Sequence, residues 1–304
     1  MIVRQRPHWL RMLFVWRGSV LPRIMPQLLW TTALAVLVTW THGQLIGYKF
    51  NLTAIPFTLL GVALAVFLGF RNNASYDRYW EARKLWGALL NDSRSLARQV
   101  VCLTECPPDE RRRLVHALAA FAHALRHQLR GSDARADMAR LLTPEAANRV
   151  CAARHPAAVA LAILGEQLAE ARRGGRVEPI LAAAMEPNLG GLSHVLGGCE
   201  RIANTPLPFT YAVIIHRIVY LYCFLLPFGL VDSVGALTPV IVAFVAYCFF
   251  ALEALSDEIE EPFGTMPNDL ALAAMATHIE STLRETLGEV QLPEPPAPVD
   301  YLLF

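Results

Sequence analysis

The chain has 304 residues, of which 54% are hydrophobic and only 17% charged, with a formal net charge of +1 and a mean hydropathy of +0.35. Soluble domains carry about 25% charged residues, so this balance points to a membrane, and the near-neutral charge excludes a nucleic-acid-binding surface, which has to be basic. Six cysteines, at 102, 106, 151, 199, 223 and 248, form no CxxC pair, and two lie in apolar runs; that is the pattern of buried free thiols rather than of a disulfide frame or a zinc site.

The first 24 residues scatter Arg4, Arg6, Arg11, Arg17 and Arg23 among tryptophans and prolines, with no small-residue cleavage site after them, so no cleavable leader is expected. Four apolar segments follow in the chain: Met25–Trp40, Ile55–Phe70, Leu207–Val231 and Ala236–Leu255. A spanning helix needs about 20 mostly apolar residues, and the last two reach that length. The second has 16, about 24 Å at ~1.5 Å per residue. It spans only if the helix runs on into RNNASYDRYW, whose polar groups other protein must then shield. The loop 41–54 carries only Lys49 and the link 232–235 no basic residue, whereas segment 71–206 carries 19. The positive-inside rule then predicts four membrane crossings, with both termini and the central segment cytoplasmic.

Segment 71–206 reads as helical. Tyr79, Arg83, Trp86 and Leu90 recur on one helical face. Pro107 and Pro108 break the chain, and Asp109 is expected to cap a helix starting at Glu110 and ending at Gly131. Thr143 with Pro144 marks another start. Further helical pieces are expected over Pro156–Arg172, Pro179–Met185, Leu189–Thr205 and Asn268–Leu287, followed by the extended, proline-rich tail LPEPPAPVDYLLF. No strand pattern is convincing. The expectation is an all-α membrane protein in four parts: 1–70 with the first two membrane helices, 71–206 as a cytosolic helical region, 207–255 with the other two membrane helices, and 256–304 as a cytosolic helix and tail.

Several residues are candidates for chemistry. Gly61, Ala65 and Gly69 recur every fourth residue, a line that lets membrane helices approach closely. Beside it run Val62, Val66 and Phe70. On pattern alone these pack in a bundle or face lipid; the functional alternative is a hydrophobic constriction repeated around a symmetry axis. His116, His123 and His127 share a helical face, but no Glu follows the first as in HExxH and no nearby Asp or Glu completes a ligand set, so ordinary packing or a polar surface is the expectation. His216 and Arg217 interrupt the third span, where ionisable groups are costly, and either pair with Glu253 or meet a neighbouring subunit. Asp257, Glu258, Glu260 and Glu261 are oxygen donors for a cation or charge site, although a solvated or salt-bridged helix end is the commoner outcome. There is no nucleotide loop, nucleophile elbow or HExxH. No enzyme activity, no cofactor and no defined metal site is expected.

The run FRNNASYDRYWEARKLWGALLNDSR, with LFVWRGSVLP before it and DEIEEPFGTMPNDLAL after the fourth span, resembles the bestrophin family, most of all its bacterial branch. The resemblance implies a homopentamer around one pore, with four membrane helices and a helical cytosolic vestibule per subunit. It implies a neck with three apolar rings, which fall on Val62, Val66 and Phe70, and a second constriction at Ile180 in EPILAAA. Isoleucine is the usual neck residue in bacterial relatives, so the two valines imply a wider or less tightly dry neck. Animal members are calcium-gated chloride channels whose calcium is held partly by an acidic run after an EPFG-like motif. This chain has GTMPNDL there, so calcium gating does not carry over. Bacterial members are associated with monovalent cations, sodium above all. The expectation is an inner-membrane channel for monovalent ions, Na+ ahead of chloride, with itself, membrane lipid and the permeating ions as partners. A chloride channel is one alternative, and a non-conducting scaffold that binds a partner through the tail Leu292–Phe304 is another.

Overall fold

In a computed structural model describing residues 1–4, 8–45, 48–49 and 52–303, helix follows helix along the chain. Arg6 and Phe304 lie outside the described residues, as does the Lys49 side chain. After a short α1 (Trp9–Met12) come α2 (Leu21–Trp40), a two-residue hairpin of β1 (Gln44–Leu45) and β2 (Tyr48–Lys49), and the 50-residue α3 (Ala54–Leu103). Then follow α4 (Pro108–Arg130), α5 (Arg135–Leu141), α6 (Pro144–Ala152), α7 (Pro156–Arg173), α8 (Pro179–Asn204), α9 (Phe209–Val234), α10 (Thr238–Glu260) and α11 (Leu272–Thr286). A 3-10 turn joins α9 to α10 at Gly235, whose φ of +61° suits a residue without a Cβ.

Three helical stretches are long and apolar enough to cross a membrane: Leu21–Trp40, Ala54–Leu103 and Phe209–Glu260. The last contains both α9 and α10, so the four apolar segments expected from the sequence are four helical segments here. The second apolar run does continue into RNNASYDRYW without interruption: the one proline between Ile55 and Leu103, Pro56, lies in the first turn, and the scattered glycines weaken a helix without ending it.

The chain divides into two compact units. One comprises 5–79 and 206–261, and the other 1–4, 80–205 and 262–304. The first unit has its core among α2, the first half of α3, α9 and α10, where Leu64, Leu68, Val219, Leu226, Val242 and Phe250 interlock. Of the small-residue line on α3, Gly61 alone is at a close approach: a Cβ there would lie 2.9 Å from the Tyr222 hydroxyl. Ala65 and Gly69 are exposed. Pro26 and Pro227 sit inside α2 and α9, as membrane helices allow.

The second unit is built around α4. Apart from His116 and His123, its centre, LVHALAAFAHAL, is apolar all round, and a helix of that kind is stable only when surrounded. Leu114, Val115 and Ala117–Leu125 are all buried, with α7, α11, α5 and α8 packed about the helix. Gly131 ends α4 in the left-handed conformation, φ +60°.

Several boundaries differ from expectation. The fourth helix begins at Pro108 with Pro107 as its cap, not at Glu110: a proline at the first position gives up an N–H that has no helical partner anyway. The pieces Pro179–Met185 and Leu189–Thr205 are one helix, α8, passing through Pro187. Around the proline, Gln99 Nε2 donates to the Ala184 carbonyl at 3.2 Å and Gln99 Oε1 accepts from Asn188 Nδ2 at 2.8 Å. The last helix starts at Leu272 rather than Asn268, because Asp269 Oδ2 accepts the Met266 N–H at 2.6 Å and holds a turn. The helix α5 and the short hairpin were not expected. Thr143 behaves as read, its hydroxyl accepting the Ala146 N–H at 3.4 Å. The tail is extended and returns to the N-terminus, where Ile2 bridges Leu302 and the Val3 N–H donates to the Tyr301 carbonyl at 2.9 Å.

Candidate functional site

Helix α3 carries two contrasting stripes at about 100° per residue. Leu64, Leu68, Arg71 and Ser75 are buried against their own subunit, whereas Val62, Val66 and Phe70, on the far side, are 63%, 50% and 62% exposed. Three large apolar side chains thus point away from the core in one row. Ile180, second residue of α8, is 75% exposed in the other unit.

The polar residues that follow Phe70 are shielded by protein. Arg71, 3% exposed, places its guanidinium 2.6 Å from Asp257 and 3.5 Å from Glu260. Asp257 also pairs with Arg23 at 3.0 Å. Arg78 Nε donates to the Glu260 carbonyl at 3.1 Å, and Glu260 Oε1 accepts the Leu207 N–H at 3.2 Å. Asn72 Nδ2 donates to the Leu68 and Leu252 carbonyls at 2.9 and 3.2 Å, and the Ser75 and Ser256 hydroxyls meet at 3.4 Å. Asp257 and Glu260 therefore tie the end of α10 to α2, to α3 and to the start of α9. Glu258 is buried and Glu261 exposed. Among the described residues no group of three or more His, Cys, Asp and Glu side chains is arranged to hold a metal ion. Higher on the same helices, the His216 ring donates from Nδ1 to Glu253 at 2.7 Å, while Arg217 is exposed.

The histidines of α4 are not left without acidic neighbours, contrary to the reading of the sequence. His116 meets Glu289 at 3.0 Å, His123 meets Glu280 at 2.9 Å and Asp137 at 3.4 Å, and His127 meets Asp137 at 3.0 Å. Arg126 adds a bond to Asp137 at 2.6 Å, Arg284 one to Glu280 at 3.1 Å, and Arg140 bonds both carboxylates. Burial alone would push the Glu280 carboxyl up; hydrogen bonds from His123 and Arg140 outweigh it and bring the carboxyl down to about 2. For Asp137 the His127 bond leads, and the carboxyl lies well below the usual range. The acids come from α5 and from α11 and the residues just after it, more than 150 positions away for Glu280, which is why spacing within α4 could not reveal them.

Other proteins are similar to this chain over most or all of its length. A model of the Bacterial/Fungal Bestrophin protein family matches residues 1–285. The chain belongs to the bestrophin family. A bacterial bestrophin homolog of known structure, from Klebsiella pneumoniae, is similar at 41% identity with a TM-score of 0.85, over 88% of this chain and 100% of that one. Among curated relatives, the voltage-dependent anion channel-forming protein RSc3414 of Ralstonia nicotianae is 49% identical over the full length of both chains. YneE of Salmonella typhi, with the same descriptive name, is 46% identical over 96% of each. As a bestrophin the chain is a membrane protein of the ion-channel class and not an enzyme.

Proposed function

We propose that this bestrophin assembles as a homopentamer in the inner membrane, both termini cytoplasmic, and passes monovalent ions along an axis lined by α3. Five copies of Val62, Val66 and Phe70 form the apolar rings of a neck, and five copies of Ile180 a second, cytosolic constriction. Residues 1–70 and 207–255 are then the membrane part, with 71–206 and 256–304 in the cytoplasm. The observation that carries this reading is the row of exposed Val62, Val66 and Phe70, backed by a buried stripe on the same helix. An apolar ring gates by excluding water when narrow.

Two readings of the permeating ion have support. The names of RSc3414 and YneE favour anions. Cations, Na+ among them, are favoured by one acidic residue of α3, treated below. Apolar rings by themselves do not select sign.

The test is current through planar bilayers containing purified protein under an asymmetric NaCl gradient. The expected result is a current that Val62→Ala and Ile180→Ala each increase without changing the oligomer seen by native mass. Reversal near the chloride potential supports the anion reading and reversal near the sodium potential the cation reading. Silence of the wild type and of both variants leaves a scaffold, whose test is loss of a bound partner when residues 292–304 are removed.

A further inference from the structure

Between Phe70 and Tyr79, helix α3 carries three charged side chains: Arg71, Asp77 and Arg78. Both arginines turn towards α10. Arg71 is buried against Asp257 and Glu260, and Arg78 bonds the Glu260 carbonyl. Asp77 does the opposite. At about 100° per residue it falls within ~20° of the mean direction of Val62, Val66 and Phe70, and it is exposed as they are. Its helical neighbours at three and four residues are Asn73, Ala74, Trp80 and Glu81, so no cation stands where a helix would pair one. No ion pair to Asp77 is formed among the described residues.

We infer that Asp77 is a sign-determining residue of the pore, forming a ring of five carboxylates just past the neck that draws cations to its mouth; this rests on the pore reading above. Asp77 follows Phe70 by seven residues, about 10 Å along the axis, and Lys84 comes seven residues later on the same stripe, about 21 Å from Phe70. With a screening length of about 8 Å at physiological salt, the neck feels the carboxylates far more than the lysines. Glu81, which lies between, is neutralised by Arg201 at 2.5 Å. A charged constriction with low-dielectric walls raises counter-ion concentration about tenfold or more, whereas the neck rings contribute no charge of their own.

The experiment compares reversal potentials of wild type, Asp77→Asn, Asp77→Glu and Asp77→Lys in the same NaCl gradient. Asp77→Asn is expected to lower the sodium-to-chloride permeability ratio about tenfold, Asp77→Lys to lower it further, and Asp77→Glu to keep the wild-type value. Because Asp77 is exposed and unpaired, none of these changes is expected to disturb assembly, which native mass checks. An unchanged ratio in Asp77→Asn and Asp77→Lys, in channels whose current still responds to Val62→Ala, overturns the role of Asp77 and leaves the pore reading standing. If Val62→Ala is also without effect on current, the pore reading itself falls, and the role of Asp77 with it.

Discussion

Arg71 is the first charged residue of α3, where its apolar run gives way to polar sequence. A buried guanidinium is tolerable only with an acid at hand, and Asp257 supplies it at 2.6 Å from the far end of α10. Removing one partner strands the other. Asp257→Asn is therefore expected to destabilise the folded protein by about 2–4 kcal/mol, visible as a lower unfolding midpoint in detergent. The double change Arg71→Met with Asp257→Leu should cost less than Asp257→Asn alone, since an apolar pair of similar volume avoids the desolvation of both charges. A double change as damaging as the sum of the two singles would show that the pair is not coupled. The resemblance motif FRNNASYDRYW contains Arg71, yet nothing in that run names Asp257, which lies 186 positions away.

At the scale of elements, the joint of α4, α5 and α11 is held by the cluster around Glu280. This carboxyl lies near 2 in the folded chain against an ordinary value of 4.5. A depressed carboxyl stabilises the fold above its unfolded value, and the benefit disappears as pH falls through the folded one. The contribution of Glu280, ~3 kcal/mol, is thus complete above about pH 5 and is lost between roughly pH 4.5 and pH 2. Unfolding midpoints measured across that range should fall for the wild type and change much less in Glu280→Gln, which is less stable at neutral pH. Equal slopes for the two proteins would remove Glu280 as the source. Two helices of this joint, α4 and α11, were legible in the sequence from their periodicity, as was neighbouring α6 from Thr143 and Pro144. The missed helix α5 has seven residues, too few for a periodic signal. The break expected in α8 does not occur: Pro187 marks only a local preference, and Gln99 of another helix bonds residues on both sides of it, Ala184 and Asn188.

For the whole molecule, the proposed pentamer multiplies each proposed neck residue by five, so small side-chain differences there count heavily. Val62→Ile combined with Val66→Ile adds one methylene per ring position, narrowing the aperture and making water exclusion stronger. Single-channel conductance is expected to fall below wild type with the reversal potential unchanged. A conductance equal to or above wild type would place these side chains away from the conduction path. Such a variant also separates the two parts assigned to α3, since it alters the neck and leaves Asp77 in place.

By itself the sequence determined the helical class, the four apolar segments, the continuity of the second into a polar helix, and family membership. These rest on local patterns: hydrophobic runs, turn residues and short motifs set by backbone geometry and by the cost of exposing apolar or unpaired backbone groups to the wrong solvent. Tertiary structure decided which charges are neutralised and which are left free. Asp257 was only an acidic residue near a helix end until Arg23 and Arg71 were found beside it, and the α4 histidines had no acids until α5 and α11 brought them. Asp77 is left free because its side chain leaves the helix in another direction from those of Arg71 and Arg78. Electrostatic partnership depends on distances of a few ångströms between residues far apart in the chain, and only the packed fold sets those distances.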